Sequence, residues 1–128
     1  MSWDVLLINS KTPVNIDSED VPAFPSRADF INKVKRTIPG IDWSDPSLGI
    51  LDSVQAVMEF NTGDEEDIGS EVLLHVYGGE DPVEVLVDLC KQNSWQAYDL
   101  STESYIDLDN PSRESWNKFD QSRGLMEE

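Results

Sequence analysis

Apolar and polar positions follow their clearest pattern in residues 71–100. In a β-strand, the first part, EVLLHVY, places Val72, Leu74 and Val76 on one side and the residues between them on the other. Few polar residues interrupt this run. The pattern therefore predicts a central strand, covered on much of both faces, that ends at Gly78-Gly79.

A helix is predicted directly after this strand. Asp81 can cap its first turn, Pro82 suits its first position, and Glu84 completes a pattern like a capping box. Apolar residues then recur at helical spacing and predict one buried face, made of Val83, Leu86, Val87 and Cys90. Asn93 is the predicted left-handed stop, and residues 95–98 resume an extended pattern. Such a strand, helix and strand predict a helix packed on a sheet.

The other segments are shorter and are separated by prolines, glycines and acids. Residues 2–9 predict a first strand. A helix is predicted from the cap Ser26 to Pro39-Gly40, with an apolar stripe that includes Phe30 and Val34. Weaker patterns predict a loop at 10–25, a turn-rich connection at 41–47, strands at 48–51 and 55–61, an acidic loop at 62–70, a short arm at 105–108 and a last helix from Asn110-Pro111 to Gly124.

The order β-α-β-β-β-α-β-α predicts an α+β fold. We expect a mostly antiparallel sheet with two main helices on one face, a ferredoxin-like variant. The length of 128 residues predicts a single domain, residues 1–128. No run approaches the ~20 apolar residues of a membrane helix, and the first residues lack the basic and apolar regions of a signal peptide. We therefore expect a soluble, cytoplasmic protein that does not bind membranes.

Charge adds a functional prediction to this fold. Nine Lys and Arg stand against 26 Asp and Glu, a net charge of −17, and no basic residue lies between Arg36 and Lys91. Because contacts to phosphate need cations, direct binding of nucleic acid is disfavoured. A basic protein partner, attracted by electrostatic steering, is favoured.

Two clusters of acids in this span are the predicted contact residues for such a partner. They are Asp64, Glu65, Glu66 and Asp67 in the acidic loop, and Glu80, Asp81 and Glu84 at the start of the second helix. The loop lacks the ligand spacing of an EF-hand, so no metal site is predicted. The acids beside Gly78-Gly79 would repel phosphate, so no anion site is predicted at that turn.

No catalytic residue and no cofactor are predicted. His75 is the only histidine, and on an apolar strand it is typical of a buried or half-buried structural residue, with no nucleophile or carboxylate placed near it. Cys90 is the only cysteine, and its apolar helix face predicts an inert buried thiol. Trp43, Trp95 and Trp116 are predicted in the core, and any of them exposed beside the acids would be an interface anchor.

Three segments carry a resemblance to a known group of proteins: SWDVLLIN, GIDWSDPSLGILD and LLHVYGGEDPVEVLVDLCKQNSWQAYDLSTESYIDL. Over residues 2–119 the chain resembles a group of small, mostly uncharacterised bacterial proteins, most specifically in residues 73–108. These proteins are similar to the immunity proteins that accompany secreted or contact-delivered toxins. The resemblance implies an inhibitor or antidote role, and it implies no catalytic residues.

The interpretation is therefore a non-enzymatic, immunity-type inhibitor of a basic partner such as a bacterial toxin. One alternative is an accessory domain whose charge only maintains solubility. A second is a carboxylate-based, metal-dependent enzyme, which requires a concave cluster of acids with at least one shifted pKa. A third is a DNA mimic, which requires regularly spaced acids on one elongated face.

Overall fold

A computed structural model describes residues 2–17 and 20–126 of the chain. This part contains seven strands: β1 (Trp3–Ile8), β2 (Asp42–Asp45), β3 (Leu48–Asp52), β4 (Val57–Asn61), β5 (Glu71–Gly78), β6 (Gln96–Asp99) and β7 (Ser104–Tyr105). It also contains three helices: α1 (Arg27–Thr37), α2 (Pro82–Asn93) and α3 (Glu114–Met126).

All seven strands form one antiparallel sheet in the order β2-β3-β4-β5-β1-β6-β7. The first strand of the chain therefore lies inside the sheet, between β5 and β6. The predicted α+β class and the mostly antiparallel sheet are confirmed. The sheet is larger than predicted, because it includes β2 and β7, which the predicted order of five strands did not contain.

One face of the sheet, which we call the inner face, carries the core. Alternate residues of the central strands are buried there, namely Val5, Leu7, Met58, Phe60, Val72, Leu74 and Val76. The core residues of α1 and α2 belong to the same cluster. Trp116 of α3 packs on Trp3, with 6.2 Å between ring centroids. Side chains from all three helices therefore join the core on this face.

Three aromatic rings tie α1 to the end of α2. Phe30 of α1 stacks on Trp95 with 5.1 Å between ring centroids. Phe24 meets Phe30 at 5.2 Å and Trp95 at 5.4 Å, edge to face in both cases. Such aromatic pairs contribute about 0.5–1.5 kcal/mol each beyond the area that they bury. The cluster therefore packs α1 and the segment before it against the connection between α2 and β6.

The helix starts follow the predicted capping residues. Ser26 Oγ accepts a hydrogen bond from the backbone N–H of Asp29 at 3.0 Å, and Asp81 Oδ1 accepts one from that of Glu84 at 3.4 Å. Pro82 is the first residue of α2. These contacts satisfy backbone donors that the first helical turn leaves unpaired. The predicted starts of α1 and α2 are confirmed.

The predicted end of α2 was one residue early. Ser94 takes the left-handed conformation, with φ 58°, and its N–H bonds to the carbonyl of Cys90. Asn93 stays helical because its side-chain amide donates to the carbonyl of Leu89 at 2.9 Å and to Thr37 Oγ1 at 3.0 Å. That amide therefore links the ends of the two helices.

The connection predicted at residues 41–47 contains a strand instead. β2 pairs with β3, and the indole ring of Trp43 lies over Gly49. A Cβ on Gly49 would lie 2.5 Å from that ring, so the glycine makes room for it. Trp43 is only half-buried, against Phe60, whereas Trp95 and Trp116 are buried as predicted.

The C-terminal elements also differ from their predicted bounds. The short arm predicted at 105–108 is reduced to the two residues of β7. The last helix begins at Glu114, where Ser112 Oγ accepts from the Glu114 N–H at 3.2 Å, not at Asn110-Pro111. It continues past Gly124 to Met126.

Cys90 is buried in the core, as predicted, and burial raises the pKa of its thiol to about 12. Because the thiolate is the reactive species, we expect no reaction with iodoacetamide at pH 8 in the native protein and one modification per chain in denaturant. Mass spectrometry measures both. The Val54→Cys variant adds a thiol at a position that is 70 % exposed and should react at once. Rapid native modification of Cys90 would contradict this prediction.

β5 is central, as predicted, but its two faces are covered to different extents. Leu73, His75 and Tyr77 are only half-buried, while the residues between them are buried. Within the described part of the chain, the core residues of the helices belong to one cluster with the inner-face residues of the strands. The outer face is covered at one corner by the segment after β1, where Gln96 Nε2 donates to the carbonyl of Lys11 at 2.8 Å.

Candidate functional site

Strand register places the outer-face side chains in rows, because directly paired residues of antiparallel strands point to the same side. One row crosses five strands and contains Asp42, Ile50, Glu59, His75 and Asp4. The next crosses all seven and contains Asp45, Leu48, Asn61, Leu73, Leu6, Tyr98 and Tyr105. We call these two rows, together with Asp52, Val57, Glu71 and Tyr77, the outer face.

The strand residues of the outer face carry charge of one sign. The seven strands contain no Lys or Arg. Six of their seven carboxylates lie on the outer face: Asp4, Asp42, Asp45, Asp52, Glu59 and Glu71. The seventh, Asp99, is buried. All nine basic residues of the chain belong to helices and loops, and the helices also carry acids. The helical side is therefore mixed in sign, whereas the strand side is acidic.

Apolar and aromatic side chains lie between these acids. Leu6 and Leu73 are directly paired and half-buried at the centre, and Ile50 is 41 % exposed. Tyr98 and Tyr105 meet edge to face, with 5.3 Å between ring centroids. A patch of apolar and aromatic residues rimmed by polar ones is typical of a protein-binding surface.

A small polar cluster surrounds His75 on the same face. His75 Nδ1 lies 2.7 Å from Asp4 Oδ1 and 3.1 Å from Ser2 Oγ, and Ser2 Oγ also donates to Asp4. His75 is half-buried as predicted, but the sequence analysis missed its carboxylate partner. The pairing of β1 with β5 places Asp4 directly opposite His75, and the sequence pattern does not show which strands pair.

This cluster does not have the geometry of a Ser-His-Asp triad. In a triad the serine and the carboxylate contact different nitrogens of the imidazole ring. Here Ser2 and Asp4 both contact Nδ1 of His75, and one nitrogen cannot donate to the carboxylate and accept from the hydroxyl at once. The arrangement instead orients the histidine ring across two strands.

Tyr77 adds a neutral hydrogen-bond donor beside this cluster. Its hydroxyl donates to Glu59 Oε2 at 3.4 Å. Burial raises the pKa of the Tyr77 hydroxyl, and the negative charges of Glu59 and Asp4 raise it further. The phenol therefore keeps its proton at neutral pH, and its ring contributes apolar area to the acidic face.

The two predicted acidic clusters lie at opposite ends of β5. Asp64, Glu65, Glu66 and Asp67 precede this strand, whereas Glu80, Asp81 and Glu84 follow it. An eight-residue strand spans about 25 Å, so the clusters do not form one continuous surface. The outer face lies between them, and its acids were not among the predicted contact residues.

The acidic loop is fixed to the start of α1. The carbonyl of Glu66 accepts from the Arg27 N–H at 2.9 Å, and the Arg27 guanidinium donates to the carbonyl of Gly63 at 3.0 Å. Asp64 and Glu65 are exposed at the tip. These two carboxylates are accessible to a partner, while Glu66 has a structural role through its backbone.

Asp81 is committed to contacts within the chain. Its carboxylate accepts two hydrogen bonds from Arg113, at 3.1 Å from Nε and 2.9 Å from Nη2. These bonds hold the pKa of Asp81 below its usual value, although partial burial opposes the shift. Asp81 thus joins α2 to the segment before α3, while Glu80 and Glu84 are exposed beside it.

Asp99 is a buried acid that the sequence analysis did not single out. Burial raises the pKa of Asp99, but hydrogen bonds from Ser115, Ser101 and Trp3 outweigh it and hold the pKa below its usual value. Trp3 Nε1 donates at 3.1 Å, and the Ser101 N–H and Oγ donate at 2.9 and 2.7 Å. With three donors on one oxygen, Asp99 fixes the end of β6 in the core.

Comparison of the chain with protein-family models, curated proteins and solved structures finds no match. The similarity to immunity proteins remains a prediction from the sequence. Among the described helices, none has the length and apolar character needed to cross a membrane. Within the described residues, no three His, Cys, Asp or Glu side chains are grouped as metal ligands.

Proposed function

We propose that this chain is a non-enzymatic binding module whose outer face holds a basic protein, and that it acts in the cytoplasm as an immunity-type inhibitor of a partner such as a bacterial toxin. The observation that carries the proposal is the separation of charge by element. On the outer side of the sheet, the strands themselves contribute six carboxylates and no Lys or Arg around an apolar centre. A complementary potential of this kind increases association rates and selects the partner.

A protein partner fits the outer face better than a second copy of the chain. Two copies placed face to face would bring together twelve carboxylates, and like charges opposed across an interface cost several kcal/mol. A small cation would leave the apolar side chains Leu6, Leu73 and Ile50 in water. A basic protein with apolar side chains in its contact surface complements both the carboxylates and the apolar residues of the outer face.

The mixed charge of the helical side favours the approach of a basic partner from the outer face. Lys35 and Arg36 are exposed on α1, which packs on the inner face. A basic partner is repelled by these cations and attracted by the acids of the outer face. Because steering acts over about one Debye length, the association rate should fall as salt rises.

We also propose that the fold is a ferredoxin-like variant. Strands β4, β5, β1 and β6 are adjacent, with α1 between β1 and β4 and α2 between β5 and β6 along the chain. This order supports a split β-α-β core, to which β2, β3 and β7 add strands at the two edges. Covering one face with helices leaves the other for the proposed partner.

Two matched double variants test this function. Asp52→Asn with Glu59→Gln removes two carboxylates from the outer face, and Asp64→Asn with Glu65→Gln makes the same change in the acidic loop. The partner is captured from lysate of the source cell at low salt, identified and purified, and its association is measured by surface plasmon resonance. We expect about 10-fold slower association for the outer-face variant and less than 2-fold for the loop variant.

The association rates of the two double variants distinguish the alternative functions. Equal slowing by both variants would show that only net charge matters, and slowing by the loop variant alone would move the site to the loop. Either result contradicts the outer-face assignment. If a folded, monomeric chain captures no basic protein even at low salt, the proposed binding function is wrong, and the accessory-domain interpretation replaces it.

A further inference from the structure

A hollow with a volume of about 370 Å³ opens on the outer face beside the acidic loop. Leu6 and Leu73, which pair directly across β1 and β5, contribute to its lining, and so does Asn61 on the other side of Leu73. Ile68 and Gly63 of the loop contribute further lining residues. The hollow therefore combines strand residues of the sheet with residues of the loop that follows β4.

The apolar part of the hollow suits a chain of methylene groups. Leu6, Leu73 and Ile68 are half-buried, so a side chain that enters would cover their remaining exposed surface. Long basic side chains bury their aliphatic stems against such surfaces while the charged group stays in contact with water or polar groups. An apolar ligand would use this part of the hollow as well.

Glu71 decides between these ligands. It lies two residues before Leu73 on the same side of β5, and it also lines the hollow. Residue Glu71 is exposed, and the ion pairs seen in the described residues use other acids. The carboxylate of Glu71 lies beside the apolar lining of the hollow. This arrangement complements a ligand side chain that has an aliphatic stem and a cation at its end.

We propose that this hollow takes an arginine side chain of the basic partner, with its methylenes on Leu6 and Leu73 and its guanidinium paired with Glu71. Arginine is favoured over lysine because its planar fork donates two parallel hydrogen bonds to a carboxylate and is more weakly hydrated than an ammonium group. The inference rests on the proposed binding function and assigns one anchor residue within it.

A titration of the full chain with small probes tests the hollow without the partner. The probes are N-acetyl-arginine amide and N-acetyl-lysine amide, followed by the backbone amide shifts of the ¹⁵N-labelled protein. We expect the arginine probe to shift the amides of Leu6, Ile68 and Leu73 and to bind at least about 5-fold more tightly than the lysine probe. Glu71→Gln should weaken it about 5- to 10-fold, and Asp64→Asn, outside the hollow, should not.

Three outcomes would overturn the assignment: shifts scattered over many acids, equal binding of the two probes, or binding that Glu71→Gln does not weaken. Partner binding by Glu71→Gln is then measured with the captured protein, and an unchanged affinity would show that the partner does not use the hollow. Failure of the probe titration with intact partner binding refutes only the hollow. Failure to capture a partner with a normal probe titration refutes the binding function and leaves only the affinity of the hollow for an arginine side chain.

Discussion

Replacing Leu73 by lysine is expected to weaken binding of the basic partner at least about 100-fold while the protein stays folded. Leu73 lies in the middle strand of the outer face, paired with Leu6 on one side and Asn61 on the other. The change removes an apolar contact from the centre of the interface, where binding energy concentrates. It also introduces a cation opposite a basic surface, and such like-charge contacts cost several kcal/mol.

The matched control is Val54→Lys, which makes the same apolar-to-cationic change in the exposed turn between β3 and β4. Both variants change the net charge by one unit, so general electrostatics affects them equally. Affinity is measured by isothermal titration calorimetry, and thermal unfolding by circular dichroism. Leu73 is only half-buried, and a lysine stem can cover the same surface, so its melting temperature should stay close to that of the wild type. Equal affinities of the two variants would exclude the outer face as the site.

Local signals were sufficient for the segment from β5 to β6. Glycines end the strand, Asp81 and Pro82 start the helix, and the apolar stripe through Cys90 faces the core. Each of these features depends on residues that are close together in the sequence, and in the helix the hydrogen bonds of successive turns place them on one face. The class of the fold followed from the order of such elements.

The open face was not predictable in the same way, because it depends on strand pairing. The run EVLLHVY has apolar residues on both sides, which is also the pattern of a strand buried on both faces. Only the sheet order, with all core residues of the helices on one side, shows that Leu73 and Tyr77 face outwards. Contacts between residues far apart in sequence set this order, and periodicity does not encode them.

The dependence on strand pairing also explains why the predicted site differs from the site that we propose. Four adjacent acids at 64–67 are conspicuous in the sequence, but the loop places them at the end of β5. The acids of the outer face are single residues on different strands, such as Asp4, Asp42 and Glu59. Register brings two of them, Asp4 and Glu59, to either side of His75.

Replacing Gly79 by alanine is expected to lower the free energy of unfolding by about 2–5 kcal/mol. Gly79 has φ 115°, a conformation that L-residues rarely adopt, and a Cβ there would lie 2.3 Å from the carbonyl oxygen of Gln55. That backbone cannot move away easily, since the N–H groups of Glu80 and Asp81 bond to the carbonyls of Val54 and Gln55. Backbone strain of about 1–2 kcal/mol thus adds to overpacking of about 1–3 kcal/mol.

Two further glycines separate these contributions. Gly63 has φ 74° with no atom within 4 Å of an added Cβ, so Gly63→Ala should cost about 1–2 kcal/mol through backbone strain alone. Gly40 has equal space and no positive φ, so Gly40→Ala should stay within about 0.5 kcal/mol of the wild type. Urea unfolding followed by tryptophan fluorescence measures all three variants. The steric argument for the turn between β5 and α2 fails if Gly79→Ala costs no more than Gly63→Ala, because both positions have a positive φ and only Gly79 faces a clash, with Gln55 and Ala56.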